Sequence, residues 1–479
     1  MPTNTVADTC DDITAVSFAQ TNFGTVQLGH KARNAALLRL AENLCRHPGG
    51  TLPDKLSCPA DYQSMCRLAN RPETTHAAVL TPHCQRTRAL IQQTPSAVLL
   101  LHDTTELDYS GLDAIATLGP IGNGHGRGYL CHNSLAIRPH TKEVLGLANQ
   151  VLHVRQAVPA NEGLAAKRRR KSRESRLWTT AVKTLGDGAA TPQCIDVADR
   201  GADIFEFLAA EKKLHRRCLV RAAHNRAVQL GHAGAGAHTL LFDHVRTLPA
   251  LGHQTQALYN VGGPKPERTA QLAVALAAVR LQPPHNQRGE YANDPLPVWA
   301  VRVWEPKPPA GCKAVEWFLL TTEPVLTVTD AWERSAWYGC RPLIEEYHKA
   351  LKTGCYVEHM QFTTAAALQP MIGLLAVVAI LLFQLRQANR RPDATTRPAT
   401  TVVDPVYEQV LRQWRYKTAH APLTVREFFL ALGRLGGHMN RKCDGMPGWL
   451  TLYRGWMKLQ YMVDGVEAAR RGKRNRDET

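Results

Sequence analysis

Three acidic residues that lie far apart in the sequence have the side-chain types that a divalent-metal site for phosphoryl transfer requires. Asp103 ends the short apolar run 96–103, Asp199 ends the run 194–199, and Glu345 lies in a segment with a helical pattern. Mg²⁺ and Mn²⁺ prefer carboxylate oxygens, and two ions about 3.5–4 Å apart stabilise both oxygens of an in-line displacement. These residue types therefore fit a site for Mg²⁺ or Mn²⁺. An aspartate at a strand end also commonly caps the next helix, and this simpler explanation stays open.

The segment that carries Glu345 adds positive charge beside the acid. At about 100° per residue, Glu345, Lys349 and Lys352 fall within roughly 60° of one another on a helix. Such a face suits a metal-bound phosphodiester. The alternative is an ordinary Glu to Lys pair on a solvated helix surface.

The elements that must position these residues follow from the hydrophobic pattern. Two buried strands, at 96–103 and 194–199, are predicted to deliver Asp103 and Asp199 at their carboxyl ends. Residues 1–90 and 405–479 are predicted to be helical domains, and residues 91–390 a catalytic domain with a β insertion at about 225–310. Further strands are predicted at 128–137, 144–154, 217–222, 298–304 and 317–322, and helices near 172–185 and 203–211.

The overall charge points to a polyanionic partner. Lys plus Arg number 58 against 41 for Asp plus Glu, a net charge of +17. Nucleic acid is the first candidate and an anionic membrane surface the second. The longest apolar run, 371–383, is shorter than the ~20 residues that span a bilayer and predicts a core helix. Residues 1–28 lack a secretory pattern, so we expect a cytoplasmic protein without a membrane partner.

The cysteines do not indicate a metal ribbon or a disulfide framework. Twelve are present, at irregular spacings and with no Cys-x-x-Cys pair. We expect them to be reduced.

Three segments together resemble one family of enzymes. The pattern Tyr338-x2-Arg341-x3-Glu345-x6-Lys352 matches the signature of the insertion-sequence-4 family of bacterial DDE transposases, particularly the transposon-five type. His102-Asp-Thr-Thr-Glu-Leu resembles that family's first-aspartate segment, and Val197-Ala-Asp-Arg-Gly-Ala-Asp-Ile its second. The three occur in the family's order.

Weaker similarities extend the resemblance over nearly the whole chain. Residues 28–33 resemble the N-terminal segment that binds transposon ends, residues 173–178 the helix between the aspartates, and the Leu-Gly-Gly at 435–437 the C-terminal dimerisation region. The resemblance implies an α/β fold with a ribonuclease H-like catalytic core and a β-rich insertion, flanked by helical N-terminal and C-terminal domains.

The resemblance also implies roles for individual residues. Asp103, Asp199 and Glu345 would hold two Mg²⁺ or Mn²⁺ ions for end nicking, hairpin formation and resolution, and strand transfer. The partners would be transposon terminal inverted repeats and target DNA, with a homodimer in the synaptic complex and a nucleoid-associated location. The residues expected to contact DNA are Tyr338, Arg341, Lys349, Lys352, Trp317 and Arg221.

One position departs from the family pattern. Pro342 stands where the family usually has an aromatic residue, and proline predicts that the helix starts or kinks there. Trp317, expected to stack on a flipped base, has the alternative of being an ordinary core aromatic.

Two other functions stay open from the sequence. The chain could be a DNA-binding protein of transposase descent that no longer transposes, or a metal-dependent nuclease or phosphatase on the same type of core. The reaction products distinguish these functions from transposition, because only a transposase joins a 3′ end to target DNA.

Overall fold

The protein has a mixed α/β fold. The computed structural model describes residues 15–56, 58–156, 163, 170, 173–231, 237–259, 266–284, 294–417, 419, 421–441 and 444–477. The chain divides into two compact units. We call residues 87–110 and 117–345 the sheet unit, and residues 1–86, 111–116 and 346–479 the helical unit.

The sheet unit is built on one sheet of twelve strands among the described residues. The strands are β1 (Val98–Asp108), β2 (Gly119–Ile121), β3 (Gly126–Ile137), β4 (Val144–His153), β5 (Cys194–Ala198), β6 (Arg217–Arg221), β7 (Ala227–Leu230), β8 (His238–Leu240), β9 (Gly252–Tyr259), β10 (Pro266–Leu281), β11 (Leu296–Trp304) and β12 (Glu316–Thr321). Their order is β2-β3-β1-β5-β6-β12-β11-β10-β7-β8, with β4 paired to β3 and β9 paired to β10. β5 runs parallel to both β1 and β6, whereas every other pair is antiparallel.

The helices are listed in chain order. They are α1 (Ala15–Phe23), α2 (Lys31–Arg46), α3 (Leu52–Lys55), α4 (Pro59–Ala69), α5 (His76–Gln92), α6 (Arg176–Leu185), α7 (Phe205–Lys213), α8 (Leu241–Thr247), α9 (Val328–Tyr338), α10 (Pro342–Lys349), α11 (Ala365–Ala388), α12 (Pro405–Tyr416), α13 (Val425–Leu435) and α14 (Trp449–Asp477). The N-terminal and C-terminal regions are therefore helical, as their patterns predict.

Strand β1 forms where the sequence predicts it but continues further than expected. Its first four residues, Val98 to Leu101, are almost fully buried and pair with β5. The predicted end at Asp103 is wrong, because antiparallel pairing with β3 carries the strand on to Asp108. Asp103 is thus inside β1, two residues beyond the point where the parallel ladder stops.

Helices α6 and α7 cover this part of the sheet with a common apolar core. Trp178 and Val182 of α6 and Phe207 of α7 pack in one buried cluster with Val220 of β6 and Leu320 of β12. Burial of such side chains stabilises the fold by roughly 1.5–3 kcal/mol each. Strand β5, which leads to the second aspartate, belongs to the same cluster and is therefore anchored from one face.

The core of the helical unit contains the helix predicted from the long apolar run. It extends beyond 371–383 to Ala365–Ala388, because Thr364 accepts a hydrogen bond from the backbone of Ala367 and caps its first turn. In the described residues this is the one helix long and apolar enough to cross a bilayer, and 89% of its most apolar window is buried inside the protein. The prediction of a core helix is confirmed.

A buried ionic cluster joins β5, β6 and α7 inside the sheet unit. Asp196 accepts hydrogen bonds from Arg216, from Nε at 2.7 Å and from Nη2 at 2.9 Å. Glu211 is fully buried in the same place, and its Oε2 lies 3.8 Å from Arg216 Nε. Burial, and then the charge on Asp196, raises the pKa of Glu211 well above its usual range. A neutral Glu211 leaves one carboxylate facing one guanidinium.

We expect Glu211→Gln to stabilise the protein at neutral pH. Because the folded pKa of Glu211 is raised, its contribution to stability is complete below the ordinary value of 4.5 and is lost as pH rises. The loss is about 1.4 kcal/mol per pH unit until the folded pKa is reached. Glutamine keeps the shape of the side chain without this loss.

Urea unfolding of the wild type and Glu211→Gln at pH 5 and pH 7 measures the effect. The advantage of the variant should be larger at pH 7. An equal advantage at both pH values would contradict a protonated Glu211.

Candidate active site

Asp103 lies in a largely buried position on β1. Its side chain is 14% exposed. Burial raises its pKa to about 6, against the opposing charge of Arg341, while Asp199 and Glu345 raise it further. An aspartate whose charge is destabilised by two other carboxylates is a good acceptor of an additional cation.

Asp199 comes directly after β5, as predicted. Its Oδ1 accepts a hydrogen bond from the backbone of Gly201 at 2.7 Å and caps the short 3-10 turn Arg200–Ala202. Capping, the simpler explanation for an acid at this place, is therefore present. The other oxygen, Oδ2, lies 3.2 Å from Arg341 Nη2. One carboxylate thus orders its own loop and also faces the acidic cluster.

Glu345 is brought to the same place by α10. This helix begins at Pro342, as the proline predicts, so Arg341 immediately precedes it and lies four residues before Glu345. Nη1 of Arg341 contacts Glu345 Oε1, and its Nη2 lies 2.8 Å from Asp103 Oδ1. A single guanidinium therefore contacts all three carboxylates.

The three carboxylates are suited to a hard divalent cation. Two of them contact the same nitrogen atom, so Asp103 Oδ1 and Asp199 Oδ2 are no further apart than the sum of those two contact distances. Formally the cluster has three negative charges and one positive charge. Among the described residues no three His, Cys, Asp or Glu side chains stand in a ready-made metal-ligand arrangement. Here Arg341 lies between the carboxylates, so metal binding requires this side chain to turn aside.

No protein-family model matches this sequence. The assignment of chemistry therefore depends on the geometry of the site and on the motifs.

Aromatic and basic residues lie near the acidic cluster in the sheet unit. Trp317 packs against Tyr338 with the ring centroids 5.8 Å apart, and the Arg221 guanidinium lies 5.9 Å from the Trp317 ring centroid. Burial raises the pKa of Tyr338, which Arg221 and Arg341 oppose, whereas Asp199 reinforces the rise. Four of the six residues predicted to contact DNA are thus neighbours of one another or of the acids.

Trp317 is only half-buried, which is unlike an ordinary core aromatic. It lines a cavity of about 560 Å³. The rest of its wall includes the basic residues Arg200, Arg221, Arg302 and Lys313, the aromatic Trp304 and the acids Glu305 and Glu316.

The other two predicted DNA contacts belong to the helical unit. α10 ends at Lys349, and the next turn, Ala350–Gly354, is π-helical. A uniform step of 100° per residue therefore does not hold as far as Lys352. Lys352 Nζ pairs with Glu358 at 3.0 Å.

Some residues beside the site were not identified from the sequence. Asp196 precedes Asp199 by three residues inside a strand that is buried throughout. An acid between Ile195 and Val197 was a usable signal, because a buried charge needs a partner. Arg302 and Trp304, in cation-π contact at 4.2 Å, were hidden in the β insertion, where nothing in the sequence linked them to the acids.

We expect Arg341→Met to raise the pKa of Asp103 above its wild-type value of about 6, because Arg341 is the main influence opposing burial. A rise of about one to three pH units is typical when a paired arginine is lost. Carboxyl ¹³C NMR without metal measures it, with the Asp103 signal assigned from Asp103→Asn. Arg302→Met, which removes a guanidinium outside the cluster, is the control. An unchanged or lower Asp103 pKa in Arg341→Met would contradict the geometry.

Proposed function

We propose that the protein is a DNA transposase that carries out cut-and-paste transposition by two-metal phosphoryl transfer. The observation that carries this proposal is the convergence of Asp103, Asp199 and Glu345 on one guanidinium, although they are spread over more than half of the chain. Structural ion pairs seldom need three acids around one cation. A polynucleotidyl transferase with endonuclease activity needs such a set of acids.

The strand arrangement around the site supports a ribonuclease H-like core with a β-rich insertion. The consecutive strands β4-β3-β1-β5-β6 combine an antiparallel part with two parallel neighbours. Asp103 and Asp199 lie just beyond the parallel ladder, on adjacent strands. The β-rich segment from β7 to β11 enters the sequence between Asp199 and Glu345.

Asp103, Asp199 and Glu345 would hold the divalent ions, Mg²⁺ or Mn²⁺. When bound, such ions supply a nucleophile of lowered pKa and stabilise the charge on the attacking and leaving oxygens. The chain's own contribution is to hold three acids on two strands and a helix, and to exclude much of the water around Asp103. Arg341, released from the acids, would be available to a DNA phosphate.

The DNA contacts are proposed from charge and from aromatic surface. Arg221, Tyr338 and Arg341 would contact phosphates near the scissile bond, and Lys349 and Lys352 are proposed as further DNA contacts. Trp317 offers an aromatic ring at the wall of a cavity where four basic residues outnumber two acids, a combination suited to an unstacked base. The net charge of +17 favours binding of the protein to the DNA backbone.

By the family resemblance, the proposed reaction sequence is end nicking, hairpin formation, hairpin resolution and strand transfer into target DNA. The partners would be the terminal inverted repeats, the target DNA and a second copy of the chain in a synaptic dimer. The protein would act in the bacterial cytoplasm, on the nucleoid.

We expect Asp199→Ala to abolish DNA cleavage and to leave DNA binding within about threefold of wild type, because one metal ligand contributes little to basic contacts. The substrate is linear DNA carrying the inverted repeats that flank the gene, with Mg²⁺. Asp294→Ala, at an exposed aspartate outside the cluster, is the control and should cut normally.

A second assay tests joining. A pre-cut 3′ end should be transferred to plasmid DNA by the wild type. Cleavage without any joined product would indicate a nuclease instead, and binding without any nick would indicate a DNA-binding protein that has lost transposition.

Proton competition at Asp103 predicts a pH dependence of metal binding. Because the pKa of Asp103 is about 6, apparent Mn²⁺ affinity should be nearly constant above pH 7 and fall about tenfold per pH unit below pH 6. Electron paramagnetic resonance of free Mn²⁺ at pH 5 to 8 measures this. Asp103→Asn should bind Mn²⁺ weakly and lack this pH dependence. A flat profile for the wild type would contradict the assignment of Asp103.

A further inference from the structure

The backbone ladder between β1 and β5 stops before it reaches the two aspartates. Its last paired residues are Leu101 and Val197, and Asp103 and Asp199 each lie two residues further along the chain, Asp103 inside β1 and Asp199 directly after β5. Backbone hydrogen bonds between these two strands therefore do not fix the separation of the two carboxylates. The β1–β3 ladder holds the backbone at Asp103, which leaves side chains as the other direct link from this part of β1 to β5.

A buried side-chain hydrogen bond links His102, the first residue of β1 beyond the ladder with β5, to Asp196, which lies within that ladder. His102 Nε2 lies 2.7 Å from Asp196 Oδ1, and both side chains are completely buried. The Arg216 guanidinium and His102 hold the pKa of Asp196 at about 2 despite its burial, so Asp196 is ionised. An ionised carboxylate only accepts hydrogen bonds, so the hydrogen lies on His102 Nε2. This bond joins β1 to β5 at the residue adjacent to Asp103.

The same ring is also tied to β3 on its other side. His102 Nδ1 is 3.1 Å from Ser134 Oγ and 3.4 Å from His132 Nε2. His132 Nδ1 in turn lies 2.9 Å from Thr104 Oγ1. Both sequence neighbours of Asp103 are thus held by hydrogen bonds, and side chains alternate along a strand, so Asp103 faces the opposite side, toward Arg341.

We propose that His102 and Asp196 are positioning residues that set the location of Asp103 for metal binding. The inference rests on the proposed function only in taking the three acids as metal ligands. Arg216 keeps Asp196 charged, Asp196 orients the His102 ring, and the ring fixes β1 beside Asp103. Neither residue contacts the proposed ions.

The test compares two substitutions of His102 by their Mn²⁺ dissociation constants, measured by electron paramagnetic resonance without DNA. His102→Leu removes every hydrogen bond of the ring and is expected to weaken Mn²⁺ binding about 10- to 100-fold. His102→Gln keeps an N–H donor for Asp196 and should restore the affinity to within about threefold of wild type.

A matched control separates positioning from general destabilisation. Thr321 is fully buried in the same sheet and donates to the Cys218 carbonyl at 2.7 Å. Thr321→Val should lower the melting temperature and leave Mn²⁺ affinity unchanged. If His102→Leu binds Mn²⁺ as the wild type does, or loses affinity only in proportion to its melting temperature as Thr321→Val does, the proposal is overturned.

A milder variant keeps the proposal testable if His102→Leu does not fold. Ser134→Ala removes one bond to His102 Nδ1 and leaves the bond to Asp196 in place. It should weaken Mn²⁺ binding about two- to tenfold, the equivalent of one hydrogen bond. Unchanged affinity in a folded Ser134→Ala would overturn the proposal.

Failure of the proposed function gives a different result from failure of this inference. A wild type that binds Mn²⁺ but cuts no DNA would overturn the transposase assignment, while the His102 series would still test positioning. A wild type that cuts DNA while His102→Leu keeps full Mn²⁺ affinity would overturn only the positioning. A wild type that binds no Mn²⁺ at all would overturn both.

Discussion

Three carboxylates cannot share a partly buried site without a cation among them. Two unit charges 4 Å apart repel by about 4 kcal/mol at an effective dielectric constant of 20. The protein meets this constraint with Arg341, whose guanidinium contacts Asp103, Asp199 and Glu345 at once. One positive charge compensates three acids only in part. The raised pKa of Asp103 reflects burial and the remaining repulsion from Asp199 and Glu345. The arrangement favours a second, more highly charged cation.

The sheet that carries Asp103 has buried charges that are balanced separately from the acidic cluster. Asp196 faces Arg216, and Glu211 is kept protonated by burial and by the charge on Asp196. Breaking a buried pair by removing one partner typically costs 3–5 kcal/mol, so this layer resists rearrangement. A change in the position of Arg341 therefore does not need to disturb β1, β5 or β6.

Local patterns were sufficient to predict most of the elements that lead to the site. The apolar run before Asp103, the strand before Asp199 and the proline that starts the Glu345 helix all form as their residue types indicate. The predicted end of β1 was wrong because pairing with β3 extends the strand to Asp108. The residues of β1 alone do not reveal that partner. The π-helical turn Ala350–Gly354 was also not predicted from the sequence.

The site itself could be predicted only as a set of residue types. Residue types and the family resemblance pointed to three acids, but the contact of all three with Arg341 is a result of tertiary structure. The bond between His102 and Asp196 joins residues on two strands, and only folding brings them to 2.7 Å. Side-chain partners across a sheet follow from register, which a single sequence specifies weakly.

We propose that divalent ions, and not the Arg341 guanidinium, are the functional partners of these three carboxylates. Anomalous diffraction at the manganese edge, from crystals grown with saturating Mn²⁺, tests it most directly. We predict anomalous peaks coordinated by Asp103, Asp199 and Glu345, with the Arg341 guanidinium turned away from them. Crystals in which Arg341 still contacts all three acids and no anomalous peak lies beside them would contradict the account.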